Sequence, residues 1–383
     1  MVDFRLSPEQ KELQGLARQF AEREIKPRAA QHDRTGEFPW EIVRKAHEAG
    51  LMNCAIPPEY GGPGLDAFDR VLITEELAWG CVGISVAIEI TALAATPLLV
   101  AGSEEQKREF LTPLTREPML ASYCVTEPGA GSDVAGMSAT AVRKGNEYVL
   151  NGTKQWITGA GYAKWFVVFA YTDKQAKHKG ISAFLVPRET PGLRVGKKEE
   201  VMGQCASDTR QVSFEEVRVP VENRLGAEGE GFRIAMVTFD RSRPGVAASA
   251  VGLARRAFEE AIRYAQERKT FGVPIAQHQA IQFTLADMAT ELEAARLLVW
   301  KAAWATAHNE TNSAAAAHAK RFAADAAMRI ATDAVQVFGG YGFSKEYPVE
   351  KLMRDAKVIQ IYEGTSQIQR LIIARRILEE YAV

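Results

Sequence analysis

Hydrophobic positions recur at helical spacing over the first third of the chain. The segment Ser7–Gln10 combines an N-cap serine, a proline at the first helical position and a capping-box glutamine. The apolar face that follows is marked by Leu13, Leu16, Phe20 and Ile25. Ser103–Gln106 repeats the start signal, and two largely apolar helical stretches lie between the two segments. Residues 1–118 are therefore predicted to form a helical N-terminal domain.

Short β-like runs replace the helical period over residues 119–230. Asn151 and Gly152 stand between two such runs and predict a tight hairpin, because both residues tolerate the positive φ of a type I′ turn. Further strands are predicted at 165–171, 181–186 and 211–219. This region is expected to be a middle domain built as a compact antiparallel sheet or barrel.

The helical period returns over residues 231–383. Three long segments and a terminal helix are predicted, with breaks at 269–274, 309–313 and 339–348, and they are typical of an antiparallel bundle. The order of helices, strands and helices excludes an alternating βαβ fold. The fold class is α+β, mainly α, in three domains.

Composition narrows the function classes. The 383 residues are 46% hydrophobic and 25% charged with a net charge of -1, which argues against a nucleic-acid groove. The four cysteines are widely spaced without a CxxC, and the six histidines show no metal-binding spacing, so neither a disulfide framework nor a metal site is predicted. No leader is visible at Met1–Phe4, and a cytoplasmic, prokaryotic protein is expected.

One stretch, Leu77–Ser103, resembles a membrane span. Its only charged residue is Glu89, and that carboxylate together with Pro97 favours a buried core helix over membrane insertion. A carboxylate in an apolar helix needs a partner or a cavity. Glu89 is therefore interpreted either as half of a buried ion pair or as part of the lining of a ligand pocket.

A second isolated carboxylate, Glu363, lies in the segment Ile361–Gln367, between an apolar stretch and an amphipathic helix. Ser366 and Gln369 have the form of a capping box, which places Glu363 just outside a helix start. The helix dipole there lowers the pKa of the carboxyl group, whereas burial beside an apolar ligand raises it. Glu363 is either a charge that complements the helix start or a proton-abstracting base.

Polar and glycine-rich segments lie where the predicted elements meet. The loop Tyr123–Asp133 carries two glycines and several hydroxyls, and Trp156–Gly159 offers an indole and a hydroxyl to a flat heterocycle. Arg268–Phe271, His278–Gln279 and Gln336–Gly340 fall at the ends of predicted bundle helices. Taken one at a time, such segments are more often turns, strand-end aromatics and helix caps than ligand contacts.

Together these segments resemble the acyl-CoA dehydrogenase family over essentially the whole chain. Tyr123–Asp133 is similar to the first signature of the family, and Asp333–Gly340 with Gln360–Arg370 is similar to the second. The Glu89 helix, Phe239–Pro244 and Tyr347–Gln369 most resemble the medium-chain enzymes. The resemblance implies a helical N-terminal domain, a middle β-barrel and a C-terminal four-helix bundle.

The resemblance also implies FAD bound between barrel and bundle, in a homotetramer that is a dimer of dimers. The residues it assigns to FAD are Tyr123, Val125, Thr126, Gly131, Ser132, Trp156, Ile157, Thr158, Arg268, Phe271, His278, Gln279, Gln336, Phe338, Gly339, Gly340, Thr365, Ser366 and Gln367. Of these, the residues that would reach the diphosphate and adenosine half of the FAD of a neighbouring subunit are Arg268, Phe271, Gln279, Gln336, Gly339 and Gly340. The residues it assigns to the acyl-CoA substrate are Glu89, Ser132, Asp240, Arg243, Tyr362 and Gly364.

The implied reaction is α,β-dehydrogenation of an acyl-CoA to a trans-2-enoyl-CoA in fatty-acid β-oxidation. Glu363 would remove the pro-R α-proton while the β-hydrogen leaves as hydride to the flavin, and electron-transfer flavoprotein would receive the electrons. Some relatives carry their base at the position of Ser242, which is a hydroxyl here. Glu363 is then the expected catalytic residue, with short or medium straight chains as substrates.

Two alternatives remain at this point. An acyl-CoA oxidase would share the chemistry but is usually longer, with an extra C-terminal domain. A DNA-binding or scaffold protein on the same fold would have a basic face and would lack the base. Neither nucleic acid nor membrane is an expected partner.

Overall fold

Helices form the first part of the chain in this computed structural model, which describes residues 4–308, 310 and 312–382. In chain order they are α1 (Pro8–Phe20), α2 (Ala29–Thr35), α3 (Trp40–Glu48), α4 (Ala67–Glu89), α5 (Thr91–Ala101) and α6 (Glu104–Arg116). The hydroxyls of Ser7 and Ser103 accept from the backbone N–H groups of Gln10 and Gln106, each at 3.2 Å. Both predicted capping boxes are complete, so both predicted helix starts are confirmed.

Helix α4 joins two parts of the core. It is long and apolar enough to cross a membrane, but 94% of its most apolar window is buried inside the protein. Val71, Ala78 and Val82 pack against the C-terminal helices, whereas Ile73 and Leu77 pack against the first helices. The backbone of Cys81 is extended, with φ −170° and ψ 118°, so the helix kinks there. The last two turns of the helix, which end at Glu89, follow the kink.

Eight strands form the sheet of the middle region. They are β1 (Leu120–Cys124), β2 (Thr140–Lys144), β3 (Glu147–Thr158), β4 (Ala163–Tyr171), β5 (Ile181–Pro187), β6 (Leu193–Lys198), β7 (Thr209–Pro220) and β8 (Arg224–Leu225). Their order is β6-β7-β3-β2-β4-β5-β8, with β1 pairing parallel to β4. Alternate residues of β4 face the sheet interior and the helices, so this strand is buried on both sides.

The predicted hairpin at Asn151 and Gly152 is wrong. Both residues lie inside the single strand β3, and the turn falls earlier, between β2 and β3, where Gly145 has φ +65°. Gly152 has φ +147°, and the β3–β7 register shifts beside it, as expected of a bulge. A Cβ at Gly152 would come within 2.6 Å of the Ala139 Cβ atom. The glycine therefore serves a close approach between strands rather than a turn.

The last part of the chain is a helical bundle. After α7 (Gly231–Glu267) and the short pair β9 (Lys269–Thr270) and β10 (Val273–Pro274), its helices are α8 (Gln279–Ala307), α9 (Ser313–Phe338), α10 (Val349–Ile359) and α11 (Ser366–Glu380). The predicted breaks at 269–274 and 339–348 are confirmed. Helix α10 was not expected as a separate element. Within the predicted break at 309–313, Asn309 and Thr311 lie outside the described residues.

The predicted domain limits at 118 and 230 fall between α6 and β1 and between β8 and α7. They stay predictions, because α4 packs in a core that the first and last regions share. Met1–Asp3 and Val383, at the outer limits of those domains, lie outside the described residues.

Candidate active site

Glu363 lies in the turn between α10 and α11. Its φ is +52°, and Gly364 follows with φ +92°, so two consecutive residues are left-handed. The capping residue of α11 is Thr365, whose hydroxyl accepts from the backbone N–H of Ile368 at 3.1 Å. The prediction of Ser366 as the cap is therefore wrong by one residue. A left-handed glutamate costs about 1–3 kcal/mol, which the surrounding contacts must offset.

The carboxylate of Glu363 accepts a hydrogen bond from the hydroxyl of Ser242 on α7. Burial raises the pKa of Glu363 above its usual value, and the Ser242 hydrogen bond with the charges of Lys320 and Arg243 offsets only part of that rise. Of the two opposing effects considered for the sequence, burial therefore outweighs the helix start. The resting carboxyl group already has a raised pKa, which suits a proton acceptor.

Three side chains from three helices hold the backbone of this turn. The Lys320 ammonium on α9 donates to the Gly364 carbonyl at 2.7 Å, and Gln369 Nε2 on α11 donates to the same oxygen at 3.0 Å. Arg243 Nε on α7 donates to the Glu363 carbonyl at 3.5 Å. We call the group formed by Ser242, Arg243, Lys320, Glu363, Gly364 and Gln369 the base pocket.

Asp325, about one turn beyond Lys320 on α9, hydrogen bonds to residues on both sides of the turn that carries Glu363. Its carboxylate accepts from Gln360 Nε2, from the Ser366 hydroxyl and from Arg370 Nη2, each at 2.8 Å. Burial raises the pKa of Asp325, but these hydrogen bonds outweigh burial and leave the pKa below its usual value. The hydroxyl of Ser366 is thus engaged within the protein.

The predicted substrate residues on α7 and before the base lie around the base pocket. Arg243 is buried and donates to Asp240 at 2.5 Å. The Tyr362 hydroxyl accepts from Gln204 Nε2 at 3.4 Å. Burial raises the pKa of the Tyr123 hydroxyl, which has no hydrogen-bond partner among the described residues. An orphaned buried hydroxyl close enough to feel the charge of Glu363 is where a ligand group is expected.

Glu89 accepts hydrogen bonds from the hydroxyls of Thr74 and Ser85, the latter at 2.6 Å. Among the described residues no cation lies within ion-pair distance of it, so the predicted buried ion pair is not formed. Burial raises its pKa, and the hydrogen bonds from Ser85 and Thr74 together with the charge of Arg70 offset part of that rise. The remaining interpretation is a position on a ligand pocket, which fits a carboxyl group whose partners are hydroxyls.

The loop Tyr123–Asp133 rests on a buried ion pair that the sequence did not suggest. Lys154 on β3 is fully buried and donates to Glu127 at 2.8 Å and to the Val125 carbonyl at 3.1 Å. Glu127 in turn accepts from the backbone N–H groups of Ser138 and Ala139 at 2.6 and 3.0 Å. The pair fixes the backbone beside Thr126, which is half-buried, and leaves Gly131 and Ser132 exposed at the tip.

Trp156 stands at the end of β3 with φ +61° and 56% of its surface exposed. An indole held in a left-handed conformation and left exposed is set up for a ring-shaped ligand or a partner surface. Thr158 is half-buried beside it, and its carbonyl accepts from Ser122. The side chain of Ile157 points into the sheet core instead, so only its backbone is available to a ligand.

A second open region lies at the far ends of α7 and α9. A cleft of about 690 Å³ is lined by Tyr264, Arg268, Thr270, Ile275, Val337, Phe338, Gly339, Gly340, Tyr341, Ser344 and Glu346. We call this region, with the adjacent exposed Phe271 and Phe343, the helix-end cleft. Arg268 lies 5.6 Å from the centre of the Tyr341 ring. Gln279 and Gln336 are exposed near its rim, whereas Phe338 is buried and stacks on Tyr264.

His278 and Thr270 hydrogen bond to one another at 2.8 Å beside Phe271, whose φ is +51°. Of the seven non-glycine residues with positive φ in the described part of the chain, three are predicted site residues: Trp156, Phe271 and Glu363. Strained backbone concentrates at functional positions. Within residues 4–308, 310 and 312–382, no cluster of three or more His, Cys, Asp or Glu side chains is arranged to hold a metal ion.

Sequence reasoning missed Lys320, Gln369, Asp325 and the Glu127–Lys154 pair. A signal was present for Lys320, which lies on the same helical face as Ala316, Ala323 and Ala327, all of them buried. A lone lysine on an alanine face needs a buried acceptor. The identity of that acceptor depends on the fold.

The chain matches three family models along its length. They are the N-terminal domain of acyl-CoA dehydrogenase over residues 7–118, the middle domain over 122–217 and the C-terminal domain over 229–378. A probable medium-chain specific acyl-CoA dehydrogenase of Caenorhabditis briggsae is 50% identical over 100% of this chain and 93% of its own length.

Two solved structures are also similar over their whole length. Butyryl-CoA dehydrogenase from Megasphaera elsdenii superposes with a TM-score of 0.96 at 42% identity, covering 98% of this chain and 100% of its own. A chain from a structure described as an electron transferring flavoprotein of Acidaminococcus fermentans superposes with a TM-score of 0.96 at 44% identity, with the same coverage.

Proposed function

The chain belongs to the acyl-CoA dehydrogenase family of FAD-dependent oxidoreductases that act on CH–CH groups, and from this we propose that it dehydrogenates short- or medium-chain acyl-CoA thioesters to trans-2-enoyl-CoAs. The observation that carries the proposal is the base pocket. Glu363 is half-buried and the pKa of its carboxyl group is raised. The side chain that hydrogen bonds to this carboxyl group is a hydroxyl, that of Ser242, rather than a second carboxylate.

Glu363 is assigned as the base that removes the α-proton. Its raised pKa brings it toward that of the carbon acid, and entry of an acyl chain would exclude water and raise it further. The backbone N–H of Glu363 donates to no described acceptor, which leaves it available to the thioester oxygen as negative charge develops there. Arg243 and Asp240 would orient the thioester end of the substrate.

The residues present fit FAD. The orphaned hydroxyl of Tyr123, the exposed indole of Trp156 and the half-buried hydroxyls of Thr126 and Thr158 form a donor set for a flat polar ring. Bound FAD supplies a hydride acceptor at this position. The Glu127–Lys154 pair keeps the loop that would carry the ring in place.

The helix-end cleft is assigned to the diphosphate and adenosine half of FAD from a neighbouring subunit. Arg268 is an exposed cation beside the glycines at 339 and 340, which suits a phosphate approaching the backbone. Exposed Phe271 and Phe343 lie close by, 97% and 88% accessible in the single chain. Exposed aromatics of this size support an oligomer, which we take to be a tetramer.

Glu89 is assigned to the pocket for the acyl chain, where its carboxyl group, held by Thr74 and Ser85, would limit the depth of the pocket. We further propose that electron-transfer flavoprotein is the acceptor, which the similarity to the Acidaminococcus fermentans structure supports. Fatty-acid β-oxidation is the corresponding pathway. A cytoplasmic site of action accords with four cysteines that form no disulfide, Cys54, Cys81, Cys124 and Cys205.

The test is anaerobic mixing of the purified yellow protein with acyl-CoAs of increasing chain length, with flavin absorbance as the readout. Rapid bleaching with short or medium straight chains is the expected result. If no straight-chain thioester bleaches the flavin, the proposed function is wrong. Exposing the reduced sample to air then distinguishes a dehydrogenase from an oxidase. The flavin of a dehydrogenase reoxidises slowly without electron-transfer flavoprotein, whereas that of an oxidase recovers its colour at once.

A further inference from the structure

Lys320 is a buried cation of the base pocket to which the proposed reaction assigns no step. It lies on α9 with its side chain fully buried, and its ammonium donates one hydrogen bond, at 2.7 Å, to the carbonyl of Gly364. Among the described residues no carboxylate lies within ion-pair distance of it. A buried ammonium group bound only to a neutral carbonyl is unfavourable, so its presence requires a reason beyond packing.

The carbonyl that Lys320 binds belongs to the left-handed pair Glu363–Gly364. Gln369 donates to the same oxygen at 3.0 Å, and Arg243 donates to the preceding carbonyl at 3.5 Å. These contacts fix the dihedral angles from which the side chain of the base projects. If the Gly364 carbonyl rotated away, the carboxylate of Glu363 would lose its alignment with Ser242.

Lys320 also contributes charge. The groups whose charges act on it are Glu363 in the turn, Arg243 on α7 and Asp325 on its own helix. Burial lowers the pKa of the Lys320 ammonium to about 8, while Glu363 acts to raise it. The lysine is thus charged through the neutral and acidic range, and there it favours the ionised form of Glu363.

We propose that Lys320 is a positioning residue for the base: its ammonium group holds the Gly364 carbonyl and the left-handed turn, and its charge favours ionised Glu363. The proposal rests on the proposed function only in naming Glu363 as the base. The hydrogen bond and the coupling between the two charges are properties of the chain itself.

The test compares Lys320→Met, which removes donor and charge, with Lys320→Gln, which keeps a donor and removes the charge. Flavin reduction by an acyl-CoA is followed between pH 5.5 and 7.5, where the lysine is charged. The reduction rate should fall at low pH as Glu363 becomes protonated, and we call this part of the pH–rate profile the acid limb. Both variants should move the acid limb to higher pH by about one unit, which corresponds to a tenfold lower rate at a given pH on that limb. Lys320→Gln should retain more of the plateau rate, because it keeps a donor to the Gly364 carbonyl.

The exposed Lys301 on α8 provides the control, since Lys301→Met should leave both the limb and the plateau unchanged. FAD content and far-ultraviolet circular dichroism establish that the variants are folded. A folded Lys320→Met protein with an unshifted acid limb would overturn the proposal, even if its rate were lower throughout.

A reciprocal measurement covers the case in which neither Lys320 variant folds. In protein labelled with ¹³C at lysine Cε, Glu363→Gln should lower the pKa of Lys320 further, because the opposing charge is gone. An unchanged lysine titration would contradict the coupling. This readout needs no turnover, so it distinguishes failure of the positioning role from failure of the proposed function.

Discussion

The base pocket and the helix-end cleft differ in how completely one chain satisfies them. In the base pocket, Lys320 is fully buried and the base is held by side chains from α7, α9 and α11. In the helix-end cleft, Phe271 and Phe343 are 97% and 88% accessible. The contacts of the base pocket are all made within a single chain. The helix-end cleft instead leaves two large aromatic side chains exposed to solvent.

The difference predicts which property a substitution in each region should alter. A buried, strained and charged pocket responds to a substitution through the chemistry and the local free energy of unfolding. An exposed cleft responds through binding of whatever covers it, since exposed positions contribute little to the stability of their own chain. Substitutions in the two regions should therefore alter different measured properties, and four variants test this expectation.

The largest effect is expected from Glu363→Gln. Removing the base should lower the flavin reduction rate at least ~100-fold, the scale of general-base catalysis, while FAD and acyl-CoA still bind. In the unchanged protein the rate should fall as pH drops through the raised pKa of Glu363, because protonation removes the acceptor. Stopped-flow absorbance across pH measures both.

The matched control is Glu380→Gln, an exposed carboxylate near the end of α11. It should reduce at the unaltered rate. Rapid reduction by Glu363→Gln would place the base elsewhere and remove the central distinction between the two regions.

Asp325→Asn is the next change, and it should act on stability. Loss of a charged acceptor for Gln360, Ser366 and Arg370 should lower the free energy of unfolding by about 2 kcal/mol. Because the folded pKa of Asp325 is depressed, its contribution is present above the ordinary Asp value of about 4 and lost as pH falls through the folded value. Urea unfolding at neutral and acid pH measures the difference in the free energy of unfolding between the variant and the unchanged protein. This difference should become smaller only at strongly acid pH.

Equal unfolding curves for the variant and the unchanged protein at neutral pH would mean that the stability of the protein does not depend on the Asp325 hydrogen bonds. The base pocket would then be no better anchored than the helix-end cleft.

In the helix-end cleft, Arg268→Ala should act on cofactor binding. Loss of a charge-assisted contact to a phosphate should weaken FAD affinity about tenfold, with an intact fold and an unaltered acid limb of the reduction rate. Titration of apoprotein with FAD at several protein concentrations measures the affinity, and Arg44→Ala, at an exposed position on α3, is the control. A stability loss without any change in FAD affinity would count against the assignment of this cleft.

The smallest effect is expected from Phe343→Ser. Because the ring is exposed in the single chain, the free energy of unfolding of that chain should change by no more than about 0.5 kcal/mol. The oligomer should dissociate at a higher protein concentration, as sedimentation velocity would detect. If the oligomer is unaffected, the exposed aromatic belongs to no subunit contact.

Local signals predicted the elements well where a few neighbouring residues suffice. The capping boxes at Ser7 and Ser103 form as expected, and the strands predicted near 165–171 and 181–186 lie within β4 and β5. The hairpin predicted at Asn151 and Gly152 is wrong, because the same dipeptide can form a turn or a bulge. Only the close approach of Ala139 to Gly152 decides between the two. The cap of α11 moved from Ser366 to Thr365 because Asp325 binds the Ser366 hydroxyl.

The sequence by itself determined the fold class, the order of helices and sheet, and the isolated carboxylate Glu363 next to a helix start. These follow from spacing, turn chemistry and composition, which act over a few residues. Only the tertiary structure decided that burial raises the pKa of Glu363, that its neighbours are Ser242, Lys320 and Arg243, and that Glu89 has hydroxyl partners instead of a cation. Desolvation and Coulomb interactions depend on distances between residues far apart in the chain, and those distances exist only after folding.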